Sequence, residues 1–246
     1  EKISSYFNLL LAGIIIACIV AAIIAFGISF GLGYVVIPFL HKIKFGQTIL
    51  DIGPKWHKNK QGTPTMGGIM FIIGICLALL STMPLINLLG SDRMIAQLGN
   101  TYYLTSFISA VALALSMSAI GFIDDYIKVV KKRNLGLTAK QKTFLQLFVC
   151  AAYLTSMYLG GMTFTRIPFI GTVDITSGIG LIFWPIALVF IYGFTNAVNL
   201  TDGVDGLASS VTIVAAIFFA VISVLASVNN ALCGYLSVVF AAALFG

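Results

Sequence analysis

Only eight of the 246 residues are acidic, and four of them fall into two short clusters, Asp124-Asp125 and Asp202/Asp205. The first stands in GFIDDYIK (121–128). Adjacent helical positions point about 100° apart, so both carboxylates can aim at one ligand only if the helix ends there. Lys128, four residues after Asp124, is spaced to pair with it. The string is therefore either a salt-bridged helix end or an acid-rich locus that orients a metal or takes a proton from a nucleophile. The second cluster, NAVNLTDGVDGL (196–207), carries Asn196, Asn199, Asp202 and Asp205 in steps of three. On a 3.6-residue helix that spacing drifts by about 60° per step and sweeps roughly half a turn. Gly203 and Gly206 are positioned to break the helix around a ligand. Two amides and two carboxylates suit a polar headgroup, a sugar or a base. A calcium loop is the other reading of DGxDG, but the flanks are apolar and no Glu stands at the twelfth position. A third string runs over 53–68, from Gly53 through Lys55, Lys58, Lys60 and Thr65 to Gly67-Gly68. Lysines and close-approach glycines near a helix start suit a phosphate or diphosphate. No GxxxxGK[ST] and no GxGxxG is present, which excludes the usual soluble nucleotide folds. His57 in this loop reads as a surface residue.

The elements that must hold these clusters are membrane helices. The chain is 59% hydrophobic and 9% charged, with a mean hydropathy of +1.05, so charge is too sparse to cover a soluble fold. Crossing about 30 Å of hydrocarbon takes roughly 20 apolar residues. Six stretches qualify, 3–41, 61–91, 94–123, 143–165, 175–201 and 206–246, and Asn229-Asn230 divides the last. The pattern predicts an all-α polytopic membrane protein of about seven transmembrane helices. Their cores fall over 9–40, 66–80, 102–123, 144–159, 180–194, 207–228 and 231–246. These runs are apolar on every face, which a β-barrel strand with period two is not. The first run is also too long for a signal-peptide core of about 7 to 15 residues, and Glu1-Lys2 is not a basic leader.

Charge sets the predicted orientation. Of 14 basic residues, 11 fall in the loops 41–65 and 124–142. The positive-inside rule places both in the cytoplasm and the N-terminus outside. By parity the segment 195–206 is cytoplasmic as well, so all three strings face one side. Contact with anionic lipid is the simpler role for most of these lysines. Cys18, Cys76, Cys150 and Cys233 each lie inside an apolar segment, without CxxC spacing, and read as packing residues. Nothing in the chain points to nucleic acid.

GTPTMGG (62–68), GFIDDYIK (121–128) and NAVNLTDGVDGL (196–207), in this order and on these sides, resemble the polyprenyl-phosphate N-acetylhexosamine-1-phosphate transferases. The likeness covers about 45–208, and the GPxxHxxKxGTPTMGG string favours the branch that acts on a muramoyl-pentapeptide. Leu50 and Ile52 depart from the family pattern, where an Arg and an acid are expected. The resemblance implies transfer of phospho-MurNAc-pentapeptide from UDP-MurNAc-pentapeptide to undecaprenyl phosphate. It further implies lipid I and UMP as products, Mg²⁺ as cofactor, the bacterial cytoplasmic membrane as setting, and a homodimer. It assigns Asp124, Asp125 and Lys128 to catalysis. Lys132, Lys140 and Lys142 go to phosphates. Lys60, Thr65, Asn196, Asn199, Asp202 and Asp205 line the uridine and diphosphate pocket, with Asn199 also reaching the metal. The family continues through helices eight to ten, a later metal-binding Asp and a His-rich loop, so the expectation is a chain that carries seven helices of ten. A sibling transferase acting on UDP-GlcNAc is the nearest alternative. An ion-coupled transporter or flippase is the alternative of a different class, and the absence of internal repeats speaks against it.

Overall fold

The computed structural model describes residues 2–42, 66–89, 100–131, 135–167, 169–203, 206–226 and 239. Six α-helices lie among them: α1 Lys2–Lys42, α2 Ile69–Leu89, α3 Thr101–Val130, α4 Ala139–Leu159, α5 Phe183–Thr201 and α6 Leu207–Ala226. They coincide with the first six predicted segments. The seventh lies outside the described residues apart from Val239, which is helical and buried. Four stretches, Leu11–Lys42, Thr101–Val130, Gly178–Thr201 and Leu207–Leu225, are long and apolar enough to cross a membrane, and Ile69–Leu85 is a shorter apolar helix. The protein is an all-α polytopic membrane protein.

Its packing has the inverted pattern of a chain dissolved in lipid. On α1 the buried residues Ile14, Ala17, Ala21 and Ala25 recur every three or four positions and make one stripe. Ile23, lying between two fully buried alanines, is 64% exposed. Lipid tails are as apolar as leucine, so large side chains gain nothing by turning inward, while small ones let backbones approach and pack. The same device recurs on α2, where Ala78 meets the α1 stripe. A Cβ on Gly74 would collide with the Ser29 hydroxyl and come within 2.8 Å of the Ala25 carbonyl oxygen. Ser29 in turn donates to the Met70 carbonyl at 3.5 Å. The start of α2 therefore lies against the second half of α1, and the two helices run antiparallel.

Polar side chains join the next helices. Ser109 on α3 bonds Ser156 on α4 at 2.6 Å. Near the opposite end of α4, Thr143 meets Tyr192 of α5 at 3.1 Å, and the Asn196 amide donates to Gln146 Oε1 at 3.1 Å. Residues 143 and 146, like 192 and 196, share a helix face, so the pair forms a short polar seam. At the other end of the pair Tyr158 meets Trp184, so α4 and α5 run antiparallel, with the beginning of α4 beside the second half of α5. Tyr103, Phe107 and Val111 seat the first half of α3 on the α1–α2 core, against which Met83 and Leu85 of α2 also pack.

Between α4 and α5 the sequence predicts only a connecting loop on the outer side. The structure has a two-stranded antiparallel hairpin there, β1 Phe164–Ile167 with β2 Gly171–Asp174, in which Phe164 faces Asp174 and Ile167 faces Gly171. Gly171 turns the chain at φ 104. Asp174 then accepts from the Thr176 amide at 2.7 Å and its hydroxyl at 2.6 Å, and from the Ser177 hydroxyl at 3.1 Å. The Thr176 hydroxyl and amide hold the Asp174 carboxyl below the usual carboxylate range. Trp184 donates its indole N–H to the Ile175 carbonyl at 2.9 Å, tying the short 3-10 helix Gly178–Ile182 and the head of α5 to the hairpin.

Candidate functional site

The antiparallel packing brings the described parts of the three sequence strings to one end of the bundle: the start of α2, the end of α3 with the start of α4, and the end of α5. None of these ends is adjacent to all the others in sequence. The contacts of Ser29 with Met70, of Tyr103 and Phe107 with the α1–α2 core, and of Asn196 with Gln146 together decide it.

At the end of α3 the sequence places Asp124-Asp125 where the helix reaches the membrane interface. The helix continues past them to Val130. At 1.5 Å per residue, its 30 residues span about 45 Å against a hydrocarbon thickness of about 30 Å, so the last turns emerge from the apolar layer. The carboxylates diverge at their Cα atoms and still converge on a single cation. Lys128 Nζ lies 2.8 Å from Asp124 Oδ2 and 2.9 Å from Asp125 Oδ1. An i,i+4 and an i,i+3 partner flank the same side chain, which is how one lysine bridges neighbours that cannot reach one ligand themselves. The two acids are not equivalent. The Asp124 side chain is 13% exposed and that of Asp125 is 37%.

The difference arises in the turn that follows. Leu137 donates its backbone N–H to Asp124 Oδ1 at 2.8 Å. Leu137 immediately precedes Thr138, the N-cap of α4. Thr138 Oγ1 accepts from the Gln141 amide at 3.3 Å, and Gln141 Oε1 accepts from the Thr138 amide at 3.1 Å. This is a reciprocal capping box, written in the sequence as T-x-x-Q. Gly136 lies directly against Asp124: a Cβ there would collide with the carboxylate and its own helix carbonyl. Gly136 and Leu137 are absent from the sequence-based site, because a lone Gly-Leu in a basic loop carries no local signal. What could have pointed to them is the capping box one residue later.

Lys140 is exposed on the first turn of α4, and Lys142, half-buried two residues on, is close enough for its charge to act on Asp124. Two lysines and no acid at a helix start oppose the usual preference for negative charge at that end. The concentration of positive charge beside orphan N–H groups is therefore suited to an anionic ligand rather than to the helix itself.

On α5 the polar residues separate into two roles. Asn196 uses both amide hydrogens in the bundle, to Gln146 Oε1 and to the Tyr192 carbonyl at 2.9 Å, which makes it a strut between helices. Asn199 and Asp202 are exposed in the last turn. Asp202 caps the helix at φ −75, and Gly206 follows at φ 76, so the chain breaks within the predicted glycine-rich string. Lys60, Thr65, Lys132 and Asp205 lie outside the described residues. The described part of the first string begins at Met66, whose φ of 70 is a left-handed conformation that non-glycine residues seldom adopt. Strain of this kind persists only where surrounding structure enforces it, and here it directs the chain into α2 ahead of Gly67 and Gly68.

The Phospho-N-acetylmuramoyl-pentapeptide-transferase signature 1 matches residues 60–72, the entry into α2. A protein of that name from Acetivibrio thermocellus is 42% identical over 195 residues, covering 78% of this chain and 52% of the relative. One from Listeria monocytogenes is 42% identical over 188 residues, covering 76% and 53%. One from Clostridium acetobutylicum is 43% identical over 192 residues, covering 78% and 54%. The chain thus spans about half the length of the curated relatives it matches. The profile of Glycosyl transferase family 4 covers residues 107–246, more than half of the chain. The acid pair, the turn that grips Asp124 and the broken end of α5 all fall inside that match, and the chain belongs to glycosyl transferase family 4.

Proposed function

We propose that the protein transfers phospho-MurNAc-pentapeptide from UDP-MurNAc-pentapeptide to undecaprenyl phosphate, forming lipid I and releasing UMP, at the cytoplasmic face of a bacterial inner membrane. The observation that carries this reading is Asp124 itself. It is a largely buried carboxylate, held on one oxygen by Lys128 and on the other by a backbone N–H, where a membrane helix emerges beside a basic helix start. A carboxylate at that depth is costly unless it is paired and has a task.

The chemistry follows from the arrangement. An oxygen of the acceptor phosphate forms a bond to the sugar-bearing phosphorus, the bridging P–O bond to the uridine phosphate breaks, and UMP departs with that electron pair. Such a transfer needs a positioned nucleophile and neutralised phosphate charge more than covalent help. Asp124 receives the residual proton of the acceptor phosphate, and Asp125 keeps Lys128 in place. Lys140 and Lys142, together with Lys132 and Lys60, attract the phosphates of both substrates. Asn199, Asp202 and Asp205, with Thr65, take the nucleotide.

Magnesium fits the end of α5 better than the acid pair. Mg²⁺ is usually held by one or two carboxylates together with substrate phosphates. Asn199 and Asp202 are exposed oxygen donors three residues apart, whereas Asp124 and Asp125 already share an ammonium group. When bound there, the ion supplies charge neutralisation on the diphosphate. A homodimer is part of the same proposal.

The deciding assay is UMP release from UDP-MurNAc-pentapeptide with undecaprenyl phosphate in lipid nanodiscs. Release that is abolished by Asp124→Asn supports the assignment, and full activity in that variant removes it. Replacing the donor with UDP-GlcNAc separates this activity from the sibling transferase.

A further inference from the structure

We infer that Gly136, acting with the Leu137 backbone N–H, is a positioning residue for the Asp124 carboxylate. The inference rests on the reading of Asp124 as the residue that meets the acceptor phosphate. Its structural part stands without that reading.

An aspartate on a helix has two side-chain torsions, and an ion pair with one flexible lysine does not fix them. Lys128 holds only Oδ2, and it is itself shared with Asp125. The second constraint comes from outside the helix, from the Leu137 N–H at 2.8 Å on Oδ1. A backbone donor has no rotamer freedom of its own, so the carboxylate is held by a rigid group on one side and a charged group on the other. Two conditions bring that N–H to its place. The Thr138–Gln141 capping box sets the direction in which the chain leaves α4 toward Leu137. Gly136 lets the turn lie in contact with Asp124, because any side chain there would occupy the space of the carboxylate and the helix carbonyl behind it. Gly136 is buried, and the contact on its Cβ side is with backbone as well as side chain, so a neighbour cannot simply swing away. Gly121, one turn before Asp124 on the same helix, meets nothing within 4 Å at its Cβ position. It provides the matched control for adding a methyl group here.

The test uses the full chain in lipid nanodiscs. An apolar carbodiimide labels accessible carboxyls, and peptide mass spectrometry compares Asp124 with Asp125 in wild type, Gly136→Ala and Gly121→Ala. Labelling of Asp124 relative to Asp125 is expected to rise about tenfold in Gly136→Ala, the factor corresponding to loss of one charge-assisted hydrogen bond, and to stay unchanged in Gly121→Ala. Equal labelling in all three overturns the inference. Should Gly136→Ala fail to fold, hydrogen exchange of the Leu137 amide decides the matter from the other side. Asp124→Ala is expected to speed that exchange about tenfold, and Asp124→Asn, which keeps an acceptor oxygen, is expected to restore most of the protection. Leu137 exchange that is indifferent to Asp124→Ala overturns the inference equally. In the UMP-release assay Gly136→Ala is expected to lower kcat with little change in KM for the nucleotide sugar. A wild-type chain that releases no UMP while the labelling and exchange results hold removes the proposed activity and leaves the positioning role standing.

Discussion

Replacing Lys128 with Met removes the one cation shared by Asp124 and Asp125 and keeps the length of the apolar stem. The structure gives the size of the effect. The contact with Asp124 involves a carboxylate that is only 13% exposed, but the lysine is 37% exposed, so solvent screens part of it. Taken at the low end of charge-assisted hydrogen bonds, it contributes about 1.5 kcal/mol. The contact with Asp125 joins two groups that are each 37% exposed, and contributes about 0.5 kcal/mol. Losing both costs roughly 2 kcal/mol, which for a chain of this size lowers Tm by about 4 to 8 °C. Thermal unfolding followed by circular dichroism in one detergent measures the shift. Lys128→Arg, which keeps the charge, should recover at least half of it. In the UMP-release assay Lys128→Met should cost more than tenfold in kcat, because it frees the Oδ2 side of Asp124 and leaves adjacent like charges uncompensated. A Met variant that melts within 1 °C of wild type, or that cannot be distinguished from the Arg variant, would refute the claim that this bridge organises the end of α3.

Other perturbations test the frame around the site. A Cβ on Gly160 would lie 2.8 Å from the Thr105 methyl and 3.1 Å from the Ser156 carbonyl, so Gly160→Ala should force α3 and α4 apart at the end away from Asp124. The expected cost is about 1 to 3 kcal/mol in Tm measurements, with UMP release per folded molecule unchanged. Gln146→Leu leaves the Asn196 amide without its acceptor and should destabilise the α4–α5 pair by roughly 0.6 to 1.7 kcal/mol, measured as a shift in the detergent-unfolding midpoint. Asp202→Asn should raise the Mg²⁺ concentration needed for half-maximal UMP release, and an unchanged requirement would remove Asp202 from the metal. The hairpin offers a pH test. Because the bonds from Thr176 and Ser177 favour ionised Asp174, their contribution is fully present above the ordinary carboxylate value of about 4 and is lost as pH falls through the lower folded value. Hydrogen exchange at the Thr176 amide should therefore show constant protection, after correction for intrinsic rate, from neutral pH to about 4 and a decline only below that.

Much of this protein is legible in its sequence because lipid imposes so simple a rule. Every backbone polar group inside the hydrocarbon must be satisfied within its own helix, so long uncharged runs had to be helices, and the first six predicted segments are. The scarcity of acids also located the candidate site. With so few charges in the chain, Asp124-Asp125 and Asp202 stood out by residue type alone, as did the pairing of Lys128 with Asp124. The hairpin over 164–174 escaped notice because its strands are four residues each, too short for alternation to register. Tertiary structure alone decided the rest. That Asn196 braces α4 through Gln146, a residue far away in sequence, depends on which groups packing brings within 3 Å or so. The distinction between the two acids is the clearest case. In sequence they are identical neighbours, and nothing local separates them. Only the return of the chain, with Gly136 flat against the helix and the Leu137 N–H aimed inward, makes Asp124 the held carboxylate and Asp125 its exposed companion. Spacing along a helix fixes which residues can meet within one turn, and a contact across 13 residues waits for the fold.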